Sequence, residues 1–495
     1  MDSVKAKTIR GGFARLGAQG VNFALRLISL AVLARLLGPK EYGLIGMVTA
    51  FTGILNLLRD FGLSSATVQR TTVTNEQMSA LFWINLLTGG ALGVLLIGCA
   101  PAIAAFYHEP RLVGVSAVLA LGFLFNGAGV QHLALMQRQM RFSTLSAIGV
   151  VSTVLGTAVA ISGATIGLSY WALAAMTITL PLTATIGFWL ATGWTPSLPR
   201  RNSGIRPLLR FGGTVTVNSV VTYFALNFEK VLLGRFWGAD AIGLYGRAYQ
   251  LINIPTDNLN SSAGEVAFAI LSRLQNDAPR LRRYFLGGYT LIVSLTLPIT
   301  FTCALFADDV IRVLLGPKWD AAATIFRLLT PTILVFAVAN PLGWLLSATG
   351  QVGRLLKMAL VIGPVMIASY SAGIHYGPEG VATAYSIVMT MWLLPLVAWA
   401  LHGSGISPRD LARSAGPSIA ASIGAGSLAY ILRSAYGSNA APAVRLTLEG
   451  SLLFISYFCL LFCMPRQRGF YLDLGRAFIG RREIQKAPER AFQEA

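Results

Sequence analysis

The chain has 495 residues, of which 54% are hydrophobic and only 12% charged, with a mean hydropathy of +0.63. So few charges cannot clothe a water-soluble fold of this size, so the composition excludes an ordinary soluble enzyme. The formal net charge of +19 does not point to nucleic acid either, because the arginines stand singly between apolar runs and do not line one basic face.

A bilayer span takes about 20 mostly apolar residues. Runs of that kind predict helices over 12–36, 42–64, 78–101, 112–134, 142–163, 168–192, 209–233, 241–266, 285–306, 325–347, 355–376, 380–402, 412–433 and 446–464. The fold class is therefore an all-α polytopic membrane protein with about fourteen transmembrane helices. The opening MDSVKAKTIR is basic like a signal peptide, but the apolar stretch after it carries Arg15 and Arg26 and is as long as a span. It reads as a retained first helix.

With the N-terminus inside, inner loops hold most of the basic residues, among them Arg70, Arg138, Arg141, Arg200, Arg201, Arg282, Arg283, Arg354 and Arg409. The outer loops hold only Lys40, Arg111, Arg235, Arg312, Lys318, Arg433 and Arg445. That bias predicts an even number of spans, both termini cytoplasmic, and Lys40 and Asp320 on the outer side of the membrane.

ARLLGPKEYGLIG at 34–46 aligns without gaps on GRFWGADAIGLYG at 234–246, so Arg35 matches Arg235, and Gly38, Gly43 and Gly46 match Gly238, Gly243 and Gly246. Arg10 and Gly12 match Arg210 and Gly212 at the same offset. Such a repeat predicts two six-helix lobes entering the membrane in the same direction, an architecture of transporters with a substrate site at the repeat interface. The N-lobe takes 1–194 and the C-lobe 209–403, joined by a cytoplasmic linker at 195–208 rich in Pro, Ser, Gly and Arg. Two extra helices fill 404–465, and 466–495 is a basic cytoplasmic tail.

Ionisable groups inside spans are costly and need a function or a partner. Arg15, Gln19, Asn22 and Arg26 fall within an arc of roughly 60° on the first helix. In the matching helix of the second lobe, Thr214, Asn218, Thr222 and Glu229 fall within roughly 80°. The next helix carries Arg247, Gln250, Asp257, Asn258, Ser261 and Glu265 within about 100°, with a kink expected at Pro255. The second helix places Thr49, Thr52, Asn56 and Asp60 on one face with Arg59 at its margin. Lipid would penalise these stripes, so the four helices are expected to face a hydrated cavity; for Glu229 and Lys230, placement at the membrane surface is the alternative. Cavity arginines suit an anion, because guanidinium forms bidentate bonds to phosphate and carboxylate. Glu229, Asp257 and Glu265 are the candidates for coupling to a proton or cation.

Cys99, Cys303, Cys459 and Cys463 all fall in apolar runs, and His108, His132, His375 and His402 are scattered, so no disulfide framework, metal site or cofactor is expected. Asp308 and Asp309 resemble a metal-binding acid pair but more simply open a short amphipathic helix. A membrane polymerase or glycosyltransferase is the rival reading, and the short outer loops leave it no room for a catalytic domain.

The ordered set LLGPKEYGLIGMVTAFTGILNLLRDFGLSSATVQR, ALMQRQMRF, LLRFGG, NFEKVLLGRFWGADAIGLYGRAYQLINIP, LSRLQNDAPRLRRYF and LLGPKW resembles the polysaccharide transporter family of the multidrug, oligosaccharidyl-lipid and polysaccharide exporter superfamily. The similarity runs from about residue 5 to 400, toward Wzx-type flippases of the colanic acid and succinoglycan branch. It implies an undecaprenyl-pyrophosphate-linked oligosaccharide as substrate, flipped by alternating access for exopolysaccharide or lipopolysaccharide synthesis, with membrane lipids, a polymerase and glycosyltransferases as partners. A drug or metabolite exporter of the same superfamily is the other reading. The resemblance places cavity arginines at Arg26, Arg59 and Arg247, beside Arg15, Asn22, Asn218 and Asn258 from the stripes, and Asn227 with Glu229 fits its spacing of an amide and an acid.

Overall fold

The computed structural model describes residues 20–60 (Asn22 apart), 74–198, 206–436, 440–465 and 467–472 (Phe470 apart). Within its helices the side chains at 60, 206–222, 224–226, 257–262, 265, 352, 435 and 436 lie outside the described part.

The described residues are helical almost throughout. A first helix, α1, covers 20–36. It is followed by α2 (Pro39–Asp60), α3 (Asn75–Tyr107), α4 (Leu112–Arg138), α5 (Phe142–Thr165), α6 (Tyr170–Thr192), α7 (Arg206–Arg273), α8 (Ala278–Leu305), α9 (Ala307–Leu314), α10 (Ala321–Leu329), α11 (Pro331–Ala348), α12 (Val352–Gly373), α13 (Gly377–Leu401), α14 (Pro408–Tyr436) and α15 (Pro442–Cys463). Ten stretches among the described residues are long and apolar enough to cross a membrane. One of them, Gly353–Leu401, has the length of two spans. With α1 and the two limbs of the bent, 68-residue α7 added, the fourteen expected helices are accounted for.

Local chemistry sets where helices start and stop. Thr74 and Gln77 form a capping box at the start of α3, each side chain meeting the other's backbone N–H. Asp277 accepts from the Arg280 N–H at the start of α8, with a proline at the next-to-first helical position. The bend in α7 is at Gly238, whose φ of 79° favours glycine. Its repeat counterpart Gly38 is the break between α1 and α2, so the duplication places a break on a break.

The chain divides into two compact units: residues 1–248 with 314–325 and 359–385, and residues 249–313 with 326–358 and 386–495. This division follows packing, whereas the repeat follows sequence.

In the first unit α3 packs on α4, α5 on α6 and α4 on α6. Glycines make the α3–α4 approach close: a methyl added at Gly127 would stand 2.7 Å from the Asn85 carbonyl, and one at Gly89 2.5 Å from that of Phe123. The loops of this unit sort into two ends by the contacts they make. At the Lys40 end, Arg235 meets His108, Ser169 donates to Glu41, the Trp237 indole donates to the Ile374 carbonyl, and Lys318 donates to the Leu36 carbonyl. At the opposite end the residues after α6 form a strap against α3: Trp194 donates to Asn75, Trp83 donates to the Ser197 carbonyl, and the Ser197 N–H and hydroxyl both reach Ser79. His132, stacked on Trp189 at 4.4 Å, holds the Trp194 carbonyl from below.

Among the described residues the second unit has two apolar clusters, one built on Phe285, Tyr289, Leu342 and Leu345, the other on Phe306, Ala425, Leu453 and Tyr457. An ionic clamp ties the final helices to the end of α8. Asp309 is fully buried, with Arg445 at 2.5 Å and Arg433 at 3.8 Å, and Arg433 also donates to the Leu305 carbonyl. Asp308 pairs instead with Arg327, so both acids of the expected helix start are ion-pair partners. The start of the tail is packed against the bundle: Gln467 is buried, and the Tyr471 hydroxyl donates to that of Ser294.

Candidate functional site

Gly38 and Gly238 provide a common origin for measuring depth along the candidate helices. At 1.5 Å per residue, Glu229 and Arg247 each lie nine positions from Gly238, one on each limb of α7, about 13 Å from the bend. Arg26 lies about 18 Å from Gly38 along α1, and Arg59 about 31 Å along α2.

The four side chains meet different surroundings. Arg26 is exposed. Arg59 donates to Asn56 at 3.1 Å, one turn back on its own helix. Arg247 lies with its guanidinium 3.8 Å above the ring of Tyr42, a cation–π distance. Glu229 is only 1% exposed, and its Oε2 has no hydrogen-bond partner among the described residues. Glu229 therefore faces the interior of the first unit. Lys230 turns aside to donate to Asn227 at 2.7 Å, and Asn227 donates to the Tyr223 carbonyl.

Asn218, Asp257, Asn258 and Glu265 are on α7 with side chains outside the described part, and Arg15 and Asn22 lie outside the described residues. A small cavity of about 10 Å³ in the second unit is lined by Thr256, Ile292, Thr296, Phe336, Asn340 and Trp344 among others. It has room for one water, not for a sugar.

The two copies of the repeat meet around the middle of their matching motif. A methyl at Gly43 would collide with the backbone carbonyl of Ala239, and a methyl at Gly243 with that of Pro39. Pro39 and Ala239 are themselves counterparts, so the contact is reciprocal, as a two-fold axis between the copies requires. Only glycine permits this approach. At the rim of the same end, Arg111 binds Glu109 through two N–H donors at 2.7 and 2.9 Å, which holds that carboxyl below the usual carboxylate range.

A family model described as "Polysaccharide biosynthesis protein" matches residues 32–324, more than half of the chain. The chain belongs to this family. It is 27% identical over 441 residues to the teichuronic acid biosynthesis protein TuaB of Bacillus subtilis (strain 168), covering 82% of this chain and 91% of that one. It is 26% identical over 382 residues to the lipopolysaccharide biosynthesis protein WzxC of Escherichia coli (strain K12), covering 75% and 77%. Among solved structures, the lipid II flippase MurJ in an inward closed conformation superposes with a TM-score of 0.76 at 14% identity, over 93% of this chain and 99% of that chain. That likeness concerns the fold.

The matched stretch of this family includes the repeat, Arg59, Glu229 and Arg247, and leaves out Arg26. Sequence reasoning missed Tyr42. A signal existed within the repeat: at the positions where the first copy has Tyr42 and Met47, the second has Ile242 and Arg247, so the ring and the cation that meet are both places where the copies differ.

Proposed function

We propose that this chain is a flippase that carries an undecaprenyl-pyrophosphate-linked oligosaccharide from the cytoplasmic to the outer leaflet of the bacterial inner membrane by alternating access, for exopolysaccharide or lipopolysaccharide synthesis. It acts as a carrier and makes or breaks no covalent bond. The observation that carries this reading is Arg247, a guanidinium stacked on Tyr42 on one limb of a bent helix, in a chain of the polysaccharide biosynthesis family. A pyrophosphate crossing hydrocarbon needs positive charge and donors supplied by its carrier. Arg26, exposed on α1, is the second residue of the site, and the polar stripes of the sequence add Arg15, Asn22, Arg59, Asn218 and Asn258.

In this reading the Lys40 end is outside, and both termini and the strap after α6 are cytoplasmic, as the loop charges favour. Glu229 is the leading coupling residue, because a buried carboxylate oxygen without a partner is a place to hold a proton or cation. A polymerase and glycosyltransferases of the same pathway are the expected neighbours.

The test is export in cells. Arg26→Ala and Arg247→Ala should abolish polysaccharide export at normal protein levels, with lipid-linked repeat units accumulating on the cytoplasmic side, and the Lys variants should retain part of it. Normal export by both Ala variants overturns the cationic site.

A further inference from the structure

The small cavity of the second unit lies among three helices that each contain a proline. Thr256 lines it from α7, next to Pro255, and Thr296 lines it from α8, two residues before Pro298. Ala337 and Asn340 line it from α11, with Pro341 following Asn340. A proline has no N–H, so the carbonyl four residues before it loses its helical donor. For Pro298 that carbonyl belongs to Ser294, and the fold supplies a substitute: the buried Tyr457 hydroxyl donates to it at 2.7 Å. For Pro341 it belongs to Ala337, itself on the cavity wall, and among the described residues no side chain donates to it.

The threonines on the wall have no proton to spare. Thr256 donates its hydroxyl to the Asn253 carbonyl at 2.9 Å, and Thr296 donates its own to the Ile292 carbonyl at 2.7 Å. A hydroxyl carries one proton, so both oxygens offer any further partner only lone pairs. Asn340 adds an amide that can donate as well as accept. Acceptors therefore outnumber donors around this space, and what fits it must bring protons. At about 10 Å³ it admits one water and nothing larger, with the two to four polar partners that a buried water needs.

We propose that the cavity is a binding site for one ordered water that stands in for the N–H Pro341 lacks. The water donates one proton to the Ala337 carbonyl and the other to a threonine oxygen, Thr296 or Thr256, and accepts from the Asn340 amide. Membrane helices tolerate proline where an ordered water makes good the freed backbone group. Here the same water also joins α11 to a neighbouring helix, so it is a structural member of the second unit. The inference stands apart from the role given to Arg247 above.

The test is hydroxyl-radical footprinting by X-ray radiolysis of the full-length protein in nanodiscs, because a bound water is a radical source inside the fold. Phe336 and Trp344 also line the cavity and should be oxidised. After rapid mixing into water enriched in the heavy oxygen isotope, their products should keep the light isotope, while those of the exposed Tyr376 take up the heavy one at once. The Thr256→Val/Thr296→Val variant keeps both shapes, removes both acceptors and should lose the products that keep light oxygen. Absence of oxidation at Phe336 and Trp344 in the parent, or isotope exchange there as fast as at Tyr376, overturns the proposal whether or not the variant folds. Melting temperatures give a second reading. Pro341→Ala restores the missing N–H, so the two valines should lower the melting temperature less in that background than in the parent; an equal loss overturns the proposal. A melting temperature raised by sodium over potassium at equal ionic strength, only with both threonines present, would make the occupant a cation and overturn it too.

Discussion

Asp309→Ala should weaken the anchoring of the last two helices without touching the transport site. The carboxylate is fully buried and stands between Arg445 at 2.5 Å and Arg433 at 3.8 Å, whose side chains keep 18% and 30% of their exposure. Removing one partner of a buried ion pair costs about 3–5 kcal/mol, mostly for the charge left behind. Both arginines reach solvent and Arg433 keeps the Leu305 carbonyl, so the low end, about 3 kcal/mol, applies. In a chain of this length each kcal/mol moves the melting temperature by roughly 1–2 °C, so a fall of about 3–6 °C is expected in detergent by a fluorescence melting assay. Arg445→Ala should cost a similar amount, and the Asp309→Ala/Arg445→Ala double variant clearly less than the two losses added. A melting temperature unchanged by Asp309→Ala, or strict additivity in the double variant, would refute the clamp.

Three further outcomes follow from the same reasoning. Impermeant thiol reagents applied to intact spheroplasts should label Lys40→Cys and Asp320→Cys but not Asn202→Cys, and the opposite pattern inverts the topology. Glu229→Gln, Asp257→Asn and Glu265→Gln should each slow export if the residue couples transport to an ion, with Glu229→Gln the most affected; full export by all three removes them from the mechanism. Gly43→Ala places a methyl on the Ala239 carbonyl and should cost at least about 1–3 kcal/mol of stability or hold the repeat copies apart, whereas Gly246→Ala meets no neighbour and should melt with the parent protein.

Hydropathy was enough to place the helices, because a bilayer imposes one length and one solvent on every span. The repeat revealed more than topology: the aligned Gly43 and Gly243 are where the backbones of the two copies meet, and the aligned Gly38 and Gly238 both interrupt helices. What sequence did not reveal were contacts that depend on how helices cross. Arg247 was recognisable as a costly cation, but nothing local says that the ring beneath it comes from Tyr42, about two hundred positions earlier. Asp309 likewise finds its arginines at 433 and 445, five and six helices further along the chain. For Glu229 the helical wheel gave the face but not the depth of burial, which neighbouring helices decide.

The strap after α6 also limits how far this protein can stretch. Trp194 and Ser197 are bonded to α3, so the chain between that anchorage and α7 runs only from Leu198 to Arg206. Eight residue steps at full extension reach roughly 28 Å. Whatever excursion the start of α7 makes during a cycle is confined to a sphere of that radius around a point fixed on α3, a mechanical leash shorter than its sequence suggests. Residues inserted after Leu198 would lengthen the leash directly, and the same number inserted before Trp194 would bulge without adding reach.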